Sequence, residues 1–409
     1  MQLEDIDLTD SRNFVDHVPH EWFEYLREHA PVYWHPMDTA PRGGFWCVTD
    51  YDDCVTVNRD YDRFSSNKLG SLFQDMDEAN LEQQRLMMLN MDPPMHTRYR
   101  RLVNKGFTPK MVRDLHEKIV GFADDIIDSV SEKGSCDFVE EISAELPLLV
   151  IAEMLGIPHE DRRMVFDWSN QMIGSEDPEY QIAPEAAGEA AMGVYAYADE
   201  LSNRKRENPA DDVISVLLGA EVEGEKLDQL EIDLFFLLLI VAGNETTRNL
   251  MSGAMAAFFE HPDQWQKLLA DRSLLPSATE EMLRWVTPVM HFRRTAVNDT
   301  TLGGQRIQAG DKVVFWHASA NRDEKAFDDP GTFDITRSPN THIAFGGGGP
   351  HFCLGANLAR MEIQVMFDRV LERVPDIHLD GKVQRLQSNF INGTKHIPVA
   401  FAPSAPLGR

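Results

Sequence analysis

The sequence predicts a mainly α protein with small β-sheets, and three observations carry that expectation. Amphipathic stretches punctuated by prolines run from about Tyr99 to Val216. The stretch from about Leu227 to Phe259 is close to apolar all round in its middle. After Pro288 the texture changes to short alternating runs with Gly-Gly and Ala-Gly turns. Helical periodicity, a helix buried on every side and period-two alternation are separate signals, and the first two cover far more residues than the third.

Taken in order, Phe45-Trp46-Cys47-Val48-Thr49 reads as a short strand and Tyr51 onward as a short helix or turn. Residues 115–133, LHEKIVGFADDIIDSVSEK, set apolar residues at helical spacing with acids between them, and Gly134 supplies a stop. Pro147, Pro158, Pro178, Pro184 and Pro209 divide the helical stretches around them. In the apolar helix a polar cluster, Asn244-Glu245-Thr246-Thr247, follows directly on Ala242-Gly243 and needs a reason. The β-like region is RRTAVNDTTLGGQRIQAGDKVVFWHASA (293–320), and a last helix, residues 356–374, follows a Gly-rich loop. With no linker, repeat or low-complexity tract, residues 1–409 are expected to form one domain.

Bulk properties exclude several function classes. Cys47, Cys54, Cys136 and Cys353 lie far apart with no CxxC pair, which argues against a disulfide framework or a zinc site and suits a reducing compartment. The N-terminus lacks the basic-then-apolar order of a signal peptide. The longest uncharged apolar run, Leu234 to Gly243, is shorter than the span of about 20 residues a membrane requires. A soluble, cytoplasmic protein is expected. A formal charge of −28 argues against general nucleic-acid or anionic-membrane binding, both of which need a basic surface.

Chemistry concentrates around Cys353, in PNTHIAFGGGGPHFCLGANLARMEI. Four successive glycines allow positive φ and close backbone approach. A helix starting behind the cysteine turns its first unsatisfied N–H groups toward the sulfur, which favours a thiolate. A lone cysteine reads equally well as a small buried hydrophobe. A phosphate cradle fits worse, because neither GK[ST] nor GxGxxG is present.

The loop resembles the haem-binding signature of cytochromes P-450, Phe-x-x-Gly-x-x-x-Cys-x-Gly, with Gly349, His351, Cys353 and Gly355 in register. Phe345 lies eight residues before the cysteine rather than seven, so the loop is one residue longer. A similarly extended loop occurs in the bacterial subset oxidising sterol side chains and methyl-branched lipids. The resemblance implies the cytochrome P-450 fold, a triangular prism with haem b between a long distal helix and a proximal Cys loop-helix. Cys353 becomes the axial ligand of the haem iron, where a thiolate favours O–O cleavage, with Phe345 beside the sulfur.

Ala242-Gly243-Asn244-Glu245-Thr246-Thr247 resembles the family's oxygen-activation motif. A hydroxyl beside a solvent-connected acid suits proton delivery. Thr246 and Glu245 are the catalytic candidates, with Ala242 against the cofactor and Gly243 expected to let the helix widen locally. Hydroxyls bonding back to helix carbonyls are the alternative reading. Glu281-Met282-Leu283-Arg284 matches the family's Glu-x-x-Arg pair, expected to be structural, with Arg337 the nearest third partner. His96, Arg100, Arg294 and His351 match propionate contacts.

The resemblance implies insertion of one oxygen atom from O2 into a C–H bond, with electrons from NAD(P)H through a reductase and ferredoxin. Seven Lys/Arg against two acids between Arg98 and Lys118 suggest where an acidic ferredoxin docks on a monomeric enzyme. VAGNETTRN, SANRDE and CLGANLARMEI look most like sterol side-chain and branched-lipid hydroxylases. Terminal hydroxylation of a long apolar substrate is expected, near Val289, Met290, Phe292, Phe390 and Ile391, with regions around Leu69–Phe73 and Phe166–Ile173 closing over it. A terpene or aromatic substrate, a peroxide-driven peroxygenase and a non-catalytic haem sensor remain the alternatives.

Overall fold

The computed structural model of the chain describes every residue except 174–176, 181–185 and 408–409, so Pro184 lies outside the described residues. The apolar stretch forms one central helix, Gln229–Glu260. At its start Asp228 accepts from the Glu231 N–H, while Glu231 reaches back to the Asp228 N–H, a reciprocal cap that satisfies two orphan donors. At 32 residues it extends about 48 Å, long enough to cross a domain of this size. Buried Phe235, Phe236, Leu239 and Ile240 fix it in the main core. Near its far end Phe258 meets Trp265, Phe333 and Phe367 at ring separations of 5.2–5.8 Å. Such aromatic pairs add about 0.5–1.5 kcal/mol each beyond the area they bury.

Three other helices position the site. Residues 115–133 fold as His116–Ser131, followed by Gly134 with φ of +71°. Leu275–Val286 carries the Glu-x-x-Arg pair, and Ala356–Arg373 follows the Gly-rich loop. The β-like region yields His291–Ala296 and Lys312–Trp316, two of the three inner members of a five-stranded sheet. Its order is Val32–Pro36, Gly44–Val48, Lys312–Trp316, His291–Ala296, Phe64–Ser65, with only the Gly44–Val48/Lys312–Trp316 pairing parallel. A mainly helical architecture with small sheets is therefore what forms. Among the described residues no single helix is long and apolar enough to cross a membrane.

The Glu281–Arg284 pair knits these parts together. Arg284 Nη2 and Nε donate to the two Glu281 oxygens at 2.7 and 2.8 Å, and both side chains are fully buried. Arg284 also donates to the carbonyls of Asn321, Pro330 and Thr332. Glu281 accepts from Arg337 Nε (3.2 Å), Asn340 Nδ2 and the Asp334 N–H. Arg337 thus stands in the third position. A buried ion pair is tolerable only when its remaining valences are met, as they are here.

Candidate active site

The glycine run is a requirement of the loop. Gly346 to Gly349 adopt φ of +93°, +58°, +99° and +79°, a region that L side chains rarely occupy. The reversed chain lies against the end of the Tyr51–Arg59 helix. Asn58 Nδ2 donates to the Gly346 and Gly348 carbonyls, and Arg59 Nε donates to Gly347 O at 2.8 Å. The extra residue is absorbed in this turn, because the Cys353 N–H still donates to Phe345 O at 3.0 Å. Phe345 therefore stays beside the cysteine, and the Arg360 guanidinium lies 4.6 Å from its ring centroid.

By contact area Cys353 is exposed, yet enough protein surrounds it to desolvate the sulfur. Both hold if the side chain borders an enclosed space. Burial pushes its thiol up, while the Gly355 N–H and the cations Arg100 and Arg360 favour the thiolate. Ala242 is exposed although it sits mid-way along a buried helix, and Thr246, one turn on, is half-buried. Thr246 Oγ1 donates to Ala242 O at 2.7 Å, so its hydroxyl bonds back to the helix and leaves its oxygen free to accept.

His96 and His351 have ring centroids 4.4 Å apart. Burial, then Arg100, lowers His96 to about 4, so it is neutral near pH 7, and its Nε2 has no partner. His351 is likewise held well below the usual histidine range by burial, and its Nε2 lies 3.2 Å from Ser66 Oγ. Arg100 donates to Phe352 O at 2.8 Å, and buried Arg294 donates to Arg293 O and Asn58 Oδ1. Among the described residues neither arginine is ion-paired with a carboxylate. Two unpaired guanidiniums, an orphaned imidazole nitrogen and a thiol fit a haem, whose two propionates require cations and donors.

Several expectations need correction. Gly243 does not widen the helix, which is a continuous α-helix through Glu260. A Cβ there would come within 2.5 Å of Ile151 Cδ1, so glycine serves close packing against the Glu145–Leu155 helix. Glu245 pairs with Arg248 at 3.0 Å, accepts from Asn249 Nδ2 and faces a polar cleft. Met290 is fully buried in the core with Phe14, Phe23 and Trp316. Val289 and Ile391 form a β-bridge, Met290 N donates to Phe390 O, and the Phe292 and Phe390 rings lie 5.8 Å apart. The basic stretch is largely neutralised. Arg98 pairs with Glu225 and Glu231, Arg101 with Glu223 and Lys118 with Glu153, while Arg100 turns inward. Asn58, Arg59, Ser66 and Arg248 were not anticipated. Only Arg248 had a local signal, the same Glu-x-x-Arg spacing as the structural pair.

Comparison with known proteins agrees with this geometry. A family model described as cytochrome P450 matches residues 187–375. A "Steroid C26-monooxygenase" of Rhodococcus jostii is 43% identical over 97% of this chain and 85% of its own length. A "Methyl-branched lipid omega-hydroxylase" of Mycobacterium bovis is 40% identical over 93% of this chain and 90% of that protein. Among solved structures, a Mycobacterium marinum cytochrome P450 in complex with pseudoionone is 40% identical, with a TM-score of 0.90, covering 98% of this chain and 99% of that one. Likeness over nearly the whole length, joined to a cysteine loop and cationic cluster suited to haem, establishes that the chain belongs to the cytochrome P450 family, as a haem-thiolate monooxygenase using O2 and electrons from a redox partner.

Proposed function

We propose that the enzyme hydroxylates the terminal side-chain carbon of a sterol or methyl-branched lipid. The observation that carries this reading is the cysteine loop, one residue longer as in the sterol and branched-lipid subset, whose extra residue leaves Phe345 beside the cysteine with the Cys353 N–H bonded to Phe345 O. Relatives named for steroid C26 oxidation and lipid omega-hydroxylation supply the substrate class. Half-buried Val289, Phe292 and Phe390 give the substrate side an apolar character.

The haem, with Cys353 as its ligand, supplies O2 activation, so that one oxygen atom enters the C–H bond and the other leaves as water. His96, Arg100, Arg294 and His351 hold the propionates. Thr246 offers its hydroxyl oxygen as an acceptor on the Ala242 face, and Glu245 brings protons from the polar cleft. Glu281, Arg284 and Arg337 act by fixing the chain around the cysteine. Electrons come from NAD(P)H through a reductase and a small acidic ferredoxin. Exposed Lys110 and Arg113, which have no acidic partner among the described residues, are its docking cations. The protein works as a cytoplasmic monomer and a single domain.

The test is a spectral titration of the haem-loaded enzyme with cholesterol-type sterols, methyl-branched fatty acids and pseudoionone, followed by product analysis. A low- to high-spin shift with a sterol or branched lipid, and a terminal alcohol as product, is expected. A response to pseudoionone alone would overturn the substrate class and leave the monooxygenase assignment standing.

A further inference from the structure

Against the central helix lies a cavity of about 620 Å³. Buried Glu245 and Arg248 form its floor, and exposed Glu140, His159, Arg163 and Asp167 stand at its mouth. Tyr180 and Lys395 line it as well. These two belong to separate parts of the chain joined by an unusual concentration of ion pairs.

Lys395 Nζ lies 3.1 Å from Asp177 Oδ1 and 2.7 Å from Glu179 Oε2. His396 lies next to it. Its Nε2 is 2.8 Å from Glu179 Oε1, its Nδ1 is 2.8 Å from Asp137 Oδ2, and Glu140 is 3.7 Å from that same nitrogen. Buried Asp177 also accepts from the backbone N–H groups of Glu179 and Gln387. Asp177–Tyr180 is therefore a formed turn, tied to the Thr394–His396 strand by two cations. Tyr180, within electrostatic reach of Glu245 and Arg248, is carried by that turn to the edge of the cavity.

We propose that Lys395 and His396 clasp the Asp177–Tyr180 turn over the polar cavity whose floor is Glu245, and that this clasp governs exchange of protons between solvent and Glu245 during turnover. The inference rests on the reading of Glu245 as the proton-delivering acid. A carboxylate at the bottom of a charge-lined cavity large enough for many waters receives protons through water or titratable groups in it, so a turn that narrows or widens that cavity alters the supply.

The clasp is also sensitive to pH. A ring with a carboxylate at each nitrogen donates to both only as an imidazolium. Burial disfavours that cation, but Glu179 and Asp137 outweigh it and raise the His396 pKa. The groups facing it are Asp137 and Glu140 on one side, Glu179 on the other and Lys395 beside it. The Glu141–Lys133 pair lies next to Asp137, and Gln384 is its neutral partner across the strand. Because the folded pKa lies above the ordinary value of 6.5, the clasp is complete below about pH 6.5 and loosens as pH rises through the folded pKa.

The experiment uses the full-length, haem-loaded enzyme with its redox partners and three variants, Lys395→Met, His396→Gln and the milder, surface-side Glu179→Gln. Hydrogen–deuterium exchange at Glu179 and Tyr180 should quicken about fivefold or more. The solvent isotope effect on coupled turnover should fall toward unity in the same variants. In the parent enzyme both readouts should change as pH rises above about 6.5, and His396→Gln should abolish that dependence. Unchanged exchange in all three variants, or faster exchange with an unchanged isotope effect, overturns the clasp. Glu245→Gln separates the two readings: if it leaves coupling intact, the role given to Glu245 fails, whereas lost coupling with silent clasp variants removes only the clasp.

Discussion

Among the described residues two Glu-x-x-Arg spacings form buried ion pairs within a helix, Glu245–Arg248 and Glu281–Arg284, and they have opposite surroundings. Glu281–Arg284 is enclosed by three carbonyls, a second arginine, an asparagine and a backbone N–H. Glu245–Arg248 has Asn249 on one oxygen, a cavity large enough for many waters in front, and an Arg248 Nε without a partner. Identical spacing guarantees only that the two side chains meet on one helix face. What lies around the pair decides whether it is fixed or able to rearrange. The first braces the chain between Asn321 and Asn340, and the second holds the acid to which we assign proton exchange.

The contrast is broken most directly at its rigid end. Glu281→Gln leaves fully buried Arg284, and the partly buried Arg337 beside it, without their counter-charge, and removing one partner of a buried pair costs about 3–5 kcal/mol. Thermal unfolding and the fraction of chain that incorporates haem should both fall sharply. A variant with parent-like stability and full haem content would show that the enclosure is not what holds this pair.

A neighbouring acid extends the test to pH. Burial alone would raise the Glu280 carboxyl, but hydrogen bonds from Arg360 and His342 outweigh it and pull the value down to about 2. A folded value below the ordinary 4.5 means that this stabilisation is complete above about pH 4.5 and is lost as pH falls toward 2. Acid titration of the parent and of Glu280→Gln should show a shallower loss of stability in the variant across that window. Parallel curves would remove the Arg360–Glu280 tie between the two helices from the account.

At the poised end the order of effects should reverse. Glu245→Gln keeps the shape and the Asn249 contact, and the cavity lets water solvate Arg248, so stability should change little. Coupling of electron uptake to product should drop by about tenfold or more, within the roughly 10²–10⁴-fold that a positioned general acid can contribute. A variant that unfolds easily but couples normally would assign Glu245 to structure instead.

How much of this was legible in the sequence follows from how local each signal is. The central helix, the Cys353 loop and the Glu281–Arg284 spacing are written in consecutive residues, so periodicity and motif suffice. Asn58 and Arg59 hold the loop from nearly 300 positions away, and nothing around them announces it. The basic run from Arg98 to Lys118 was legible as charge but misleading as surface, because its acidic partners at Glu153, Glu223, Glu225 and Glu231 arrive from other elements. Gly243 was noticed for the right reason, a demand for space, and assigned to the wrong neighbour.

Arg248 gives the finest test of the comparison, because it and Arg284 hold the same position in the two pairs. Arg284→Gln strips donors from fully buried Glu281 and from the carbonyls of Asn321, Pro330 and Thr332, and should resemble Glu281→Gln. Arg248→Gln leaves Glu245 with Asn249 and with cavity water, which can replace a lost donor at modest cost. The folded protein should persist, and the carboxylate, freed from its i+3 partner, should rotate more readily toward the Thr246 side. Coupling should then change by about twofold to threefold, a shift of well under 1.4 kcal/mol in barrier terms. Stability and coupling measured together on both arginine variants decide the matter. If Arg248→Gln destabilises as much as Arg284→Gln, the open cavity confers no freedom and the two pairs are alike after all.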